Sequence, residues 1–282
     1  MRSVKILVAA GAASLLSSAV FAADMAIAPP PMQYAPAPIE DFGGWYLRGD
    51  IGFSNESVKN VLDTNSAAYN NVAVSQTSGF GSAGIYGGGV GYRFNNWFRA
   101  DFTGQYRGNA NFTGLDVITG TGPFAGFVGT DSYTATKSEI LFLANAYADL
   151  GTWWCITPFI GAGVGTARVS IANFTDTGDF INGGVQNHSF NYASQASQWN
   201  FAWALHAGLA YKVSPGLTLE LAYSYVDLGK GMTGPTSSFD QVTNTTHAPF
   251  SYNNITSSDV TLGLRWELNA PPVYAPPLVR KG

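Results

Sequence analysis

The sequence has 282 residues, of which 14 are basic and 18 acidic, and its charged fraction of 11% is less than half of the roughly 25% found in soluble proteins. So few charges cannot cover an ordinary water-exposed surface, and the acidic balance argues against nucleic acid as a partner. The single cysteine, Cys155, excludes an intramolecular disulfide and a cysteine-based zinc site.

The chain begins with the features of a secretory signal peptide. Arg2 and Lys5 precede an apolar run that ends in small residues at Ala22. We therefore predict a signal peptide over 1–22 and an exported chain of 12 basic and 18 acidic residues, with a net charge near −6. Later apolar runs are shorter than the about 18 residues that a spanning helix needs, which leaves a closed β-barrel as the structure able to cross a bilayer.

Proline-rich segments flank the central part of the chain. Residues 23–43 are expected to form an extended periplasmic linker, and residues 269–282 form a C-terminal tail of the same kind. The region between them, residues 44–268, is predicted to be one barrel domain.

Eight segments of the central region alternate between apolar and polar residues with the period of a β-strand. In the first, Trp45 to Phe53, Leu47 and Ile51 share one face and Arg48 and Asp50 share the other. The other segments cover 82–94, 97–107, 139–150, 156–169, 200–213, 217–225 and 259–268. We expect the apolar faces to contact lipid and the charged faces to line a lumen, because a basic residue facing the membrane midplane costs about 2–4 kcal/mol.

The connections between these segments alternate between short and long. Short ones lie near Asn95-Asn96, Gly151–Cys155 and Ser214–Gly216, and long ones cover 54–81, 108–137, 170–199 and 226–257. Tight periplasmic turns, long external loops and an even strand number are typical of bacterial outer-membrane barrels. The sequence therefore predicts an all-β fold, an eight-stranded antiparallel transmembrane up-and-down β-barrel with long extracellular loops, short periplasmic turns and both termini in the periplasm.

Charged residues at inward positions predict a balanced network inside the barrel. The candidates are Arg48, Asp50, Arg93, Arg99, Asp101, Arg107, Glu139, Asp149, Lys212, Glu220, Arg265 and Glu267. Side chains nearly fill the interior of a barrel of about eight strands, so we expect these groups to form a plug, with a narrow or gated ion path as the alternative.

Aromatic residues gather where the strands meet the turns. Trp45, Phe94, Trp97, Trp153, Trp154, Tyr211 and Trp266 fall at the inferred periplasmic rim, and Tyr106, Trp199, Trp203, Tyr223 and Tyr225 lie toward the opposite rim. Two such girdles would anchor a barrel at the two interfaces of the membrane.

Catalysis is not expected. Lipid-modifying barrels use a His and a Ser together, and this chain offers His188, His206 and His247. His188 and Ser189 are adjacent, so their side chains diverge on an extended chain, and His206 has no Ser two positions away. The glycine-rich runs lie inside strand patterns rather than before a helix, so neither a nucleotide cofactor nor a metal is expected.

Sequence blocks in the predicted strands resemble one family of bacterial proteins. GWYLRGDIGF, GYRFNNWFRADFTGQYR, TPFIGAGVG, SPGLTLELAYSYVDLG and VTLGLRWEL are similar to the small outer-membrane β-barrel proteins of alphaproteobacteria, relatives of opacity-type surface proteins and of the OmpA/OmpX barrel. The resemblance covers roughly residues 44–268. With the barrel prediction, it implies a monomer whose partners are outer-membrane lipid, lipopolysaccharide and the barrel assembly machinery.

The resemblance also implies a role for the mature N-terminus. In these barrels an Ala-Asp start is associated with covalent linkage to peptidoglycan, and cleavage after Ala22 would leave Ala23-Asp24 as that start. We expect a non-enzymatic outer-membrane protein with an envelope-structural and surface-exposed role, with attachment through Ala23 as a hypothesis. A narrow ion channel and a loop-mediated adhesin or surface receptor are the alternatives.

Overall fold

The structure, a computed structural model, describes residues 43–63, 71–239 and 244–268. The predicted signal peptide, the linker except Gly43, the C-terminal tail and the predicted attachment residue Ala23 lie outside the described residues. Contacts divide the chain into one unit over Met1–Glu40 and another over Asp41–Gly282, and every described residue belongs to the second unit.

The described residues form twelve β-strands and a short 3-10 turn at Gly122–Phe124. In chain order the strands are β1 (Gly44–Asp63), β2 (Val72–Phe80), β3 (Ala83–Arg93), β4 (Phe98–Gly120), β5 (Val128–Asp149), β6 (Ile156–Asn182), β7 (Val185–Ala193), β8 (Ala196–Ser214), β9 (Leu217–Met232), β10 (Thr236–Phe239), β11 (Asn244–His247) and β12 (Phe250–Glu267).

Eight of these strands form a closed antiparallel ring. Around the ring the order is β1, β3, β4, β5, β6, β8, β9 and β12, and β12 pairs with β1 again. Each segment predicted from the alternation lies in one of these ring strands. Because the ring closes, both sides of every ring strand are hydrogen bonded, as a strand within a membrane requires.

Short turns join the ring strands at the end where β1 begins and β12 ends, which we call the proximal end. Between β3 and β4, Asn95 Oδ1 accepts hydrogen bonds from the backbone N–H groups of Trp97 (3.0 Å) and Phe98 (2.7 Å). Between β5 and β6, Gly151 has a φ of 108°, which a residue with a Cβ rarely adopts. The short turns thus lie where the sequence predicts them.

The prediction of long loops at the opposite end, the distal end, is wrong for most of these residues. Ring strands continue past the ring as paired strands; β4, for example, runs to Gly120 and its partner β5 begins at Val128. β2 adds to β4, and β7, β10 and β11 add in turn to β6. Asn, Ser, Thr and Gly favour turns locally, but here their backbone groups bond to neighbouring strands, and pairing outweighs local preference. We use the name distal extension for β2, β7, β10 and β11 together with the parts of the ring strands that continue past the ring.

Apolar side chains fill the distal part of the interior. They form one continuous core that includes Phe112, Tyr133, Ala135, Leu141, Leu143, Ala167, Val169, Ile171, Phe174, Ala202, Ala204, Val226, Leu228, Tyr252 and Ile255. Nearer the proximal end, Tyr147 and Phe159 form a smaller cluster with two alanines. The interior is therefore packed with side chains along much of its length.

Candidate functional site

The outer face of the ring is apolar and the inner face is charged. On β1, Trp45, Leu47, Ile51 and Phe53 are 45–72% exposed, whereas Asp50 among them is 4% exposed. The exterior also carries Phe102, Phe201, Leu205, Leu209, Leu221, Val260, Leu262 and Leu264. A water-soluble protein buries side chains of this kind, so the solvent of this surface must itself be apolar.

Aromatic side chains border this apolar surface. Near the proximal end lie the exposed rings of Trp45, Phe94, Trp97, Trp153, Trp154, Tyr211 and Trp266. Farther along the strands, Tyr106, Trp199 and Tyr223 are exposed, whereas the rings of Trp203 and Tyr225 lie 5.7 Å apart and are half-buried against each other. The exposed rings thus form one group near the proximal end and another farther along the strands, and such positions suit amphipathic rings at membrane interfaces.

The carboxylate of Glu220, on β9, is the centre of an ion network in the proximal part of the lumen. Its Oε1 atom lies 3.1 Å from Nη1 of Arg265 and 3.3 Å from Nη2 of Arg99, and its Oε2 atom lies 3.8 Å from Nη2 of Arg48. The Nε atom of Arg99 also lies 3.2 Å from Asp149. One carboxylate thus joins arginines from three other strands across the ring.

Arg48 connects this centre to two further acids. Its Nε and Nη2 atoms donate hydrogen bonds to the two oxygens of Asp50, at 3.0 and 2.8 Å, and its Nη1 donates to Asp101 at 2.9 Å. Asp101 also accepts hydrogen bonds from Tyr46 (3.1 Å) and Asn145 (2.8 Å). Each buried charge in this group therefore lies within 3.8 Å of an opposite charge, which offsets part of the cost of taking it out of water. Oε1 of Glu220 and the Nε and Nη1 atoms of Arg265 form no hydrogen bonds among the described residues, so at the centre of the network the charges are balanced by ion pairing.

The network ends at the proximal rim, and one predicted member lies outside it. Arg93 binds Glu267 at 2.9 Å, and Nε of Arg265 lies 3.7 Å from the same carboxylate. Lys212 differs from the prediction, because it is exposed and joins none of the salt bridges between described residues. It lies at the proximal end of β8, where the pairing with β9 shifts register before Ser214.

A second ion network lies on the distal side of the first. Arg107 donates a hydrogen bond to Asp259 through Nη1 at 3.1 Å, and its Nε lies 3.9 Å from Glu139. Lys137, which is 1% exposed, binds both Glu139 and Glu56. Arg107 and Glu139 were among the predicted candidates, and the structure separates them from the proximal group.

Sequence reasoning missed Glu56, Lys137 and Asp259. The first two fall in segments predicted to be loops, and Asp259 begins the last predicted strand. The alternation within each strand was the signal that could have identified them. Glu56, for example, continues the inward alternation of Arg48 and Asp50 along β1. Extending each alternation until it fails would have found them.

His206 lies in the interior, on β8, beside a serine of the next strand. Its ring nitrogens lie 2.8 Å from Oγ of Ser224 and 3.2 Å from Oδ1 of Asn145. The pairing of β8 with β9 brings Ser224 there, a contact that spacing along one strand does not show. The adjoining cavity has a volume of about 20 Å³, which is room for a water molecule and not for a substrate.

The other two histidines lie in the distal extension. His188 contacts Asp179 and is exposed, and Ser189 next to it turns to the opposite face of β7 as predicted. His247 lies 2.8 Å from Oγ of Ser238. Among the described residues, we find neither a group of His, Cys, Asp or Glu suited to a metal ion nor a helix long and apolar enough to cross a membrane.

Several known proteins are similar to this chain. Residues 10–267 match the family described as outer membrane protein beta-barrel domain. The chain belongs to this family. An uncharacterized protein of Brucella suis biovar 1 is 30% identical over 235 residues, which cover 76% of this chain and 78% of that protein. A Rickettsia felis protein described as a candidate adhesin is 27% identical over 266 residues, 93% of this chain and 98% of that protein.

A solved structure of Neisserial surface protein A (NspA) is also similar, with a TM-score of 0.42 and 16% identity over 80% of this chain and 97% of that one. Membership of the outer membrane barrel family places this chain in the bacterial outer membrane. The apolar exterior of the ring is the surface that such a location requires.

Proposed function

We propose that this protein is a sealed transmembrane barrel with an envelope-structural role, that it holds its distal extension outside the cell, and that it has no catalytic activity. The observation that carries the proposal is the combination of an apolar exterior with an interior filled by paired charges and apolar side chains. In this proposal the protein is a monomer, inserted by the barrel assembly machinery and surrounded by lipid and lipopolysaccharide.

The length of the apolar exterior supports a membrane crossing. On β8, outward apolar residues run from Phe201 to Val213, which is about 40 Å of strand and about 28 Å along the membrane normal at a tilt of about 45°. Outer-membrane barrels have an apolar band about 25 Å tall. On β6 the outward face becomes polar at Arg168, between the buried Ala167 and Val169, which marks a distal limit of the band.

The packed interior supports a barrel that does not conduct. Two ion networks and the apolar core occupy the space through which ions would pass. We expect purified protein in planar lipid bilayers to give no discrete conductance steps, and a heat-dependent shift on a cold gel to show that the same sample is folded. Regular steps that change in Arg99→Ala would overturn this part and favour the narrow channel.

Three exposed lysines allow a test of orientation. Lys59 and Lys230 lie in the distal extension, whereas Lys212 lies at the proximal end. A membrane-impermeant amine reagent applied to intact cells should label the two distal lysines and spare Lys212, and lysed cells should show labelling of all three. Labelling of Lys212 alone in intact cells would reverse the proposed orientation.

Surface recognition is the second candidate, and the rigid distal strands together with the Rickettsia relative favour it. Binding sites are often carried by segments held on a rigid scaffold. Deleting residues 178–189, at the tip of the hairpin of β6 and β7, should abolish attachment of expressing cells to a host-cell layer while the heat-dependent gel shift persists. Unchanged attachment would argue against recognition by this hairpin.

Attachment of the mature N-terminus to peptidoglycan is a separate part of the proposal. The predicted Ala23-Asp24 start and the roughly 60 Å reach of about twenty extended residues support it. Muramidase digestion followed by mass spectrometry should find Ala23 linked to a muropeptide. A mature N-terminal peptide that is always free would overturn the attachment and leave the sealed barrel unaffected.

A further inference from the structure

The inner side of the distal extension borders a cavity of about 550 Å³ that is partly open to solvent. Pockets for small organic ligands have volumes of about 300–1,000 Å³. Four paired strands, β2, β4, β5 and β6, give it a continuous wall, and β7 extends that wall. Strand pairing therefore holds most of the cavity wall, to which the connection between β4 and β5 adds Phe127.

Six of the described residues that line the cavity have large apolar side chains. They are Val61, Val74, Ile118, Phe127, Phe180 and Phe250. The rings of Phe127 and Phe180 lie 5.7 Å apart, and those of Tyr133 and Phe250 lie 6.3 Å apart. Aromatic faces of this kind attract a cation as well as an apolar body.

Three carboxylates line the same cavity, those of Asp116, Asp131 and Asp176. Asp116 accepts hydrogen bonds from the phenol of Tyr133 and, at 3.4 Å, from the amide of Gln76. These neutral donors orient the carboxylate without cancelling its charge.

Asp176 and Asp131 complete the acidic lining of the cavity. Asp176 is 6% exposed and accepts a hydrogen bond from Nδ2 of Asn191 at 2.8 Å. Asp131 lies above Gly178, where a Cβ would come within 2.5 Å of its Oδ1 atom, so the glycine leaves room for this carboxylate. The described residues that line the cavity include no Lys, Arg or His. Three carboxylates together with aromatic faces give this cavity a lining that favours a cation over a neutral molecule or an anion.

We propose that this cavity binds a small organic cation, an ammonium group carried on an aromatic or aliphatic body. The ammonium group would lie among the three carboxylates and the apolar body against the phenylalanines. The proposal goes beyond the proposed function, and binding can be measured on purified protein whatever its orientation in cells.

The probe is 3-phenylpropylamine, with 3-phenylpropanol and 3-phenylpropionate as the neutral and anionic counterparts of similar shape. Ligand-observed NMR on the full mature protein in lipid nanodiscs, with empty nanodiscs to correct for partitioning into lipid, gives the three affinities. We expect the amine to bind at least about tenfold more tightly than the alcohol and the carboxylate to show no binding. Equal affinities of amine and alcohol would overturn the proposal.

Variants locate the binding within the cavity. Asp131→Asn should weaken amine binding about fivefold to tenfold, and Ile118→Trp, which fills the cavity without changing its charge, should abolish it. Asp179→Asn is the matched control, because Asp179 lies on β6 three residues from Asp176 but faces outward and is exposed. Equal weakening by Asp131→Asn and Asp179→Asn, or binding that survives Ile118→Trp, would place the amine elsewhere and overturn the site.

Discussion

Removal of the charge of Glu220 tests whether the lumen network stabilises the barrel. Glu220→Gln keeps the shape of the side chain, but Arg265, Arg99 and Arg48, at 3.1, 3.3 and 3.8 Å, lose the carboxylate they share. The loss of one partner from a buried ion pair costs about 3–5 kcal/mol, because the other charge stays buried and uncompensated. All three arginines keep another acidic contact, Arg48 with Asp50, Arg99 with Asp149 and Arg265 with Glu267, so we expect a loss near the lower limit, about 3 kcal/mol.

The free energy of unfolding is measured by urea titration in lipid vesicles, with the heat-dependent gel shift reporting the folded fraction. Glu267→Gln is the control, since the side chain of its nearer partner Arg93 is 32% exposed, so that water can replace the lost contact. Its more distant partner Arg265, at 3.7 Å, keeps Glu220 at 3.1 Å. Glu267→Gln should lower the free energy of unfolding by less than about 1 kcal/mol. Adding Arg99→Met to Glu220→Gln should recover part of the stability. Equal losses in the two single variants would refute the reasoning that Glu220 balances buried charge.

Three further predictions concern the exterior, the close packing and the distal extension. Leu262→Arg, on the outward face of β12, should lower the free energy of unfolding in vesicles by about 2–4 kcal/mol. Gly91→Ala should destabilise by about 1–3 kcal/mol in the same titration, because its Cβ would come within 2.2 Å of the Tyr46 ring, whereas Gly79→Ala meets no atom within 4 Å and should change little. Burial and a hydrogen bond to a neighbouring carboxylate raise the pKa of the Tyr133 phenol. The free energy of unfolding should therefore fall as the pH rises above about 10, the pKa of a phenol in the unfolded chain. Urea titrations at pH 8 and 11 should show a smaller fall for Tyr133→Phe.

The ring strands could be predicted from the sequence because each meets two different solvents. A strand with lipid outside and a packed lumen inside must alternate, as in β12, where Leu262, Leu264 and Trp266 are exposed and Thr261 and Arg265 are buried. Such a pattern is local, so it can be read without knowledge of the partner strands. The short turns carry local signals as well, as the Asn95 side chain shows.

The distal extension could not be predicted in the same way. Past the apolar band the outer face of a strand carries apolar as well as polar residues, and so does the inner face, so the contrast between the faces fades. On β4, for example, Leu115 and Val117 are exposed and Asp116 between them lines the distal cavity. What holds these segments in strands is pairing between residues far apart in sequence, such as Gln76 with Asp116. Composition alone resembles that of loops, so the cavity and its three carboxylates could not be placed.

Contacts between strands account for the remaining differences in the interior. The alternation identifies His206 as inward, but only the register of β8 against β9 sets it opposite Ser224. The same is true of the charged residues. The alternation within their own strands predicts that Arg107 and Glu139 face the interior. Their separation from the proximal network depends on how far along the axis of the ring they lie, which the alternation does not give. The sequence pattern therefore predicts on which face of a strand a residue lies, but not which residues of other strands it contacts.

The continuity of the strands bears on how the distal extension could act. Leu141 lies in the ring and Ala135 in the extension, and both belong to β5 and to the same apolar core. The extension is thus joined to the ring through paired strands and a packed core. The pairing of β5 shifts register between the two parts, at Arg107/Ala110 against β4 and at Thr134/Thr136 against β6, and resumes on the distal side of each shift. A surface held in this way is ordered before it meets a ligand, so binding costs little conformational entropy. This is the advantage that strands have over loops for the proposed recognition role, and it applies equally to the ligand proposed for the distal cavity, most of whose wall is formed by the same strands.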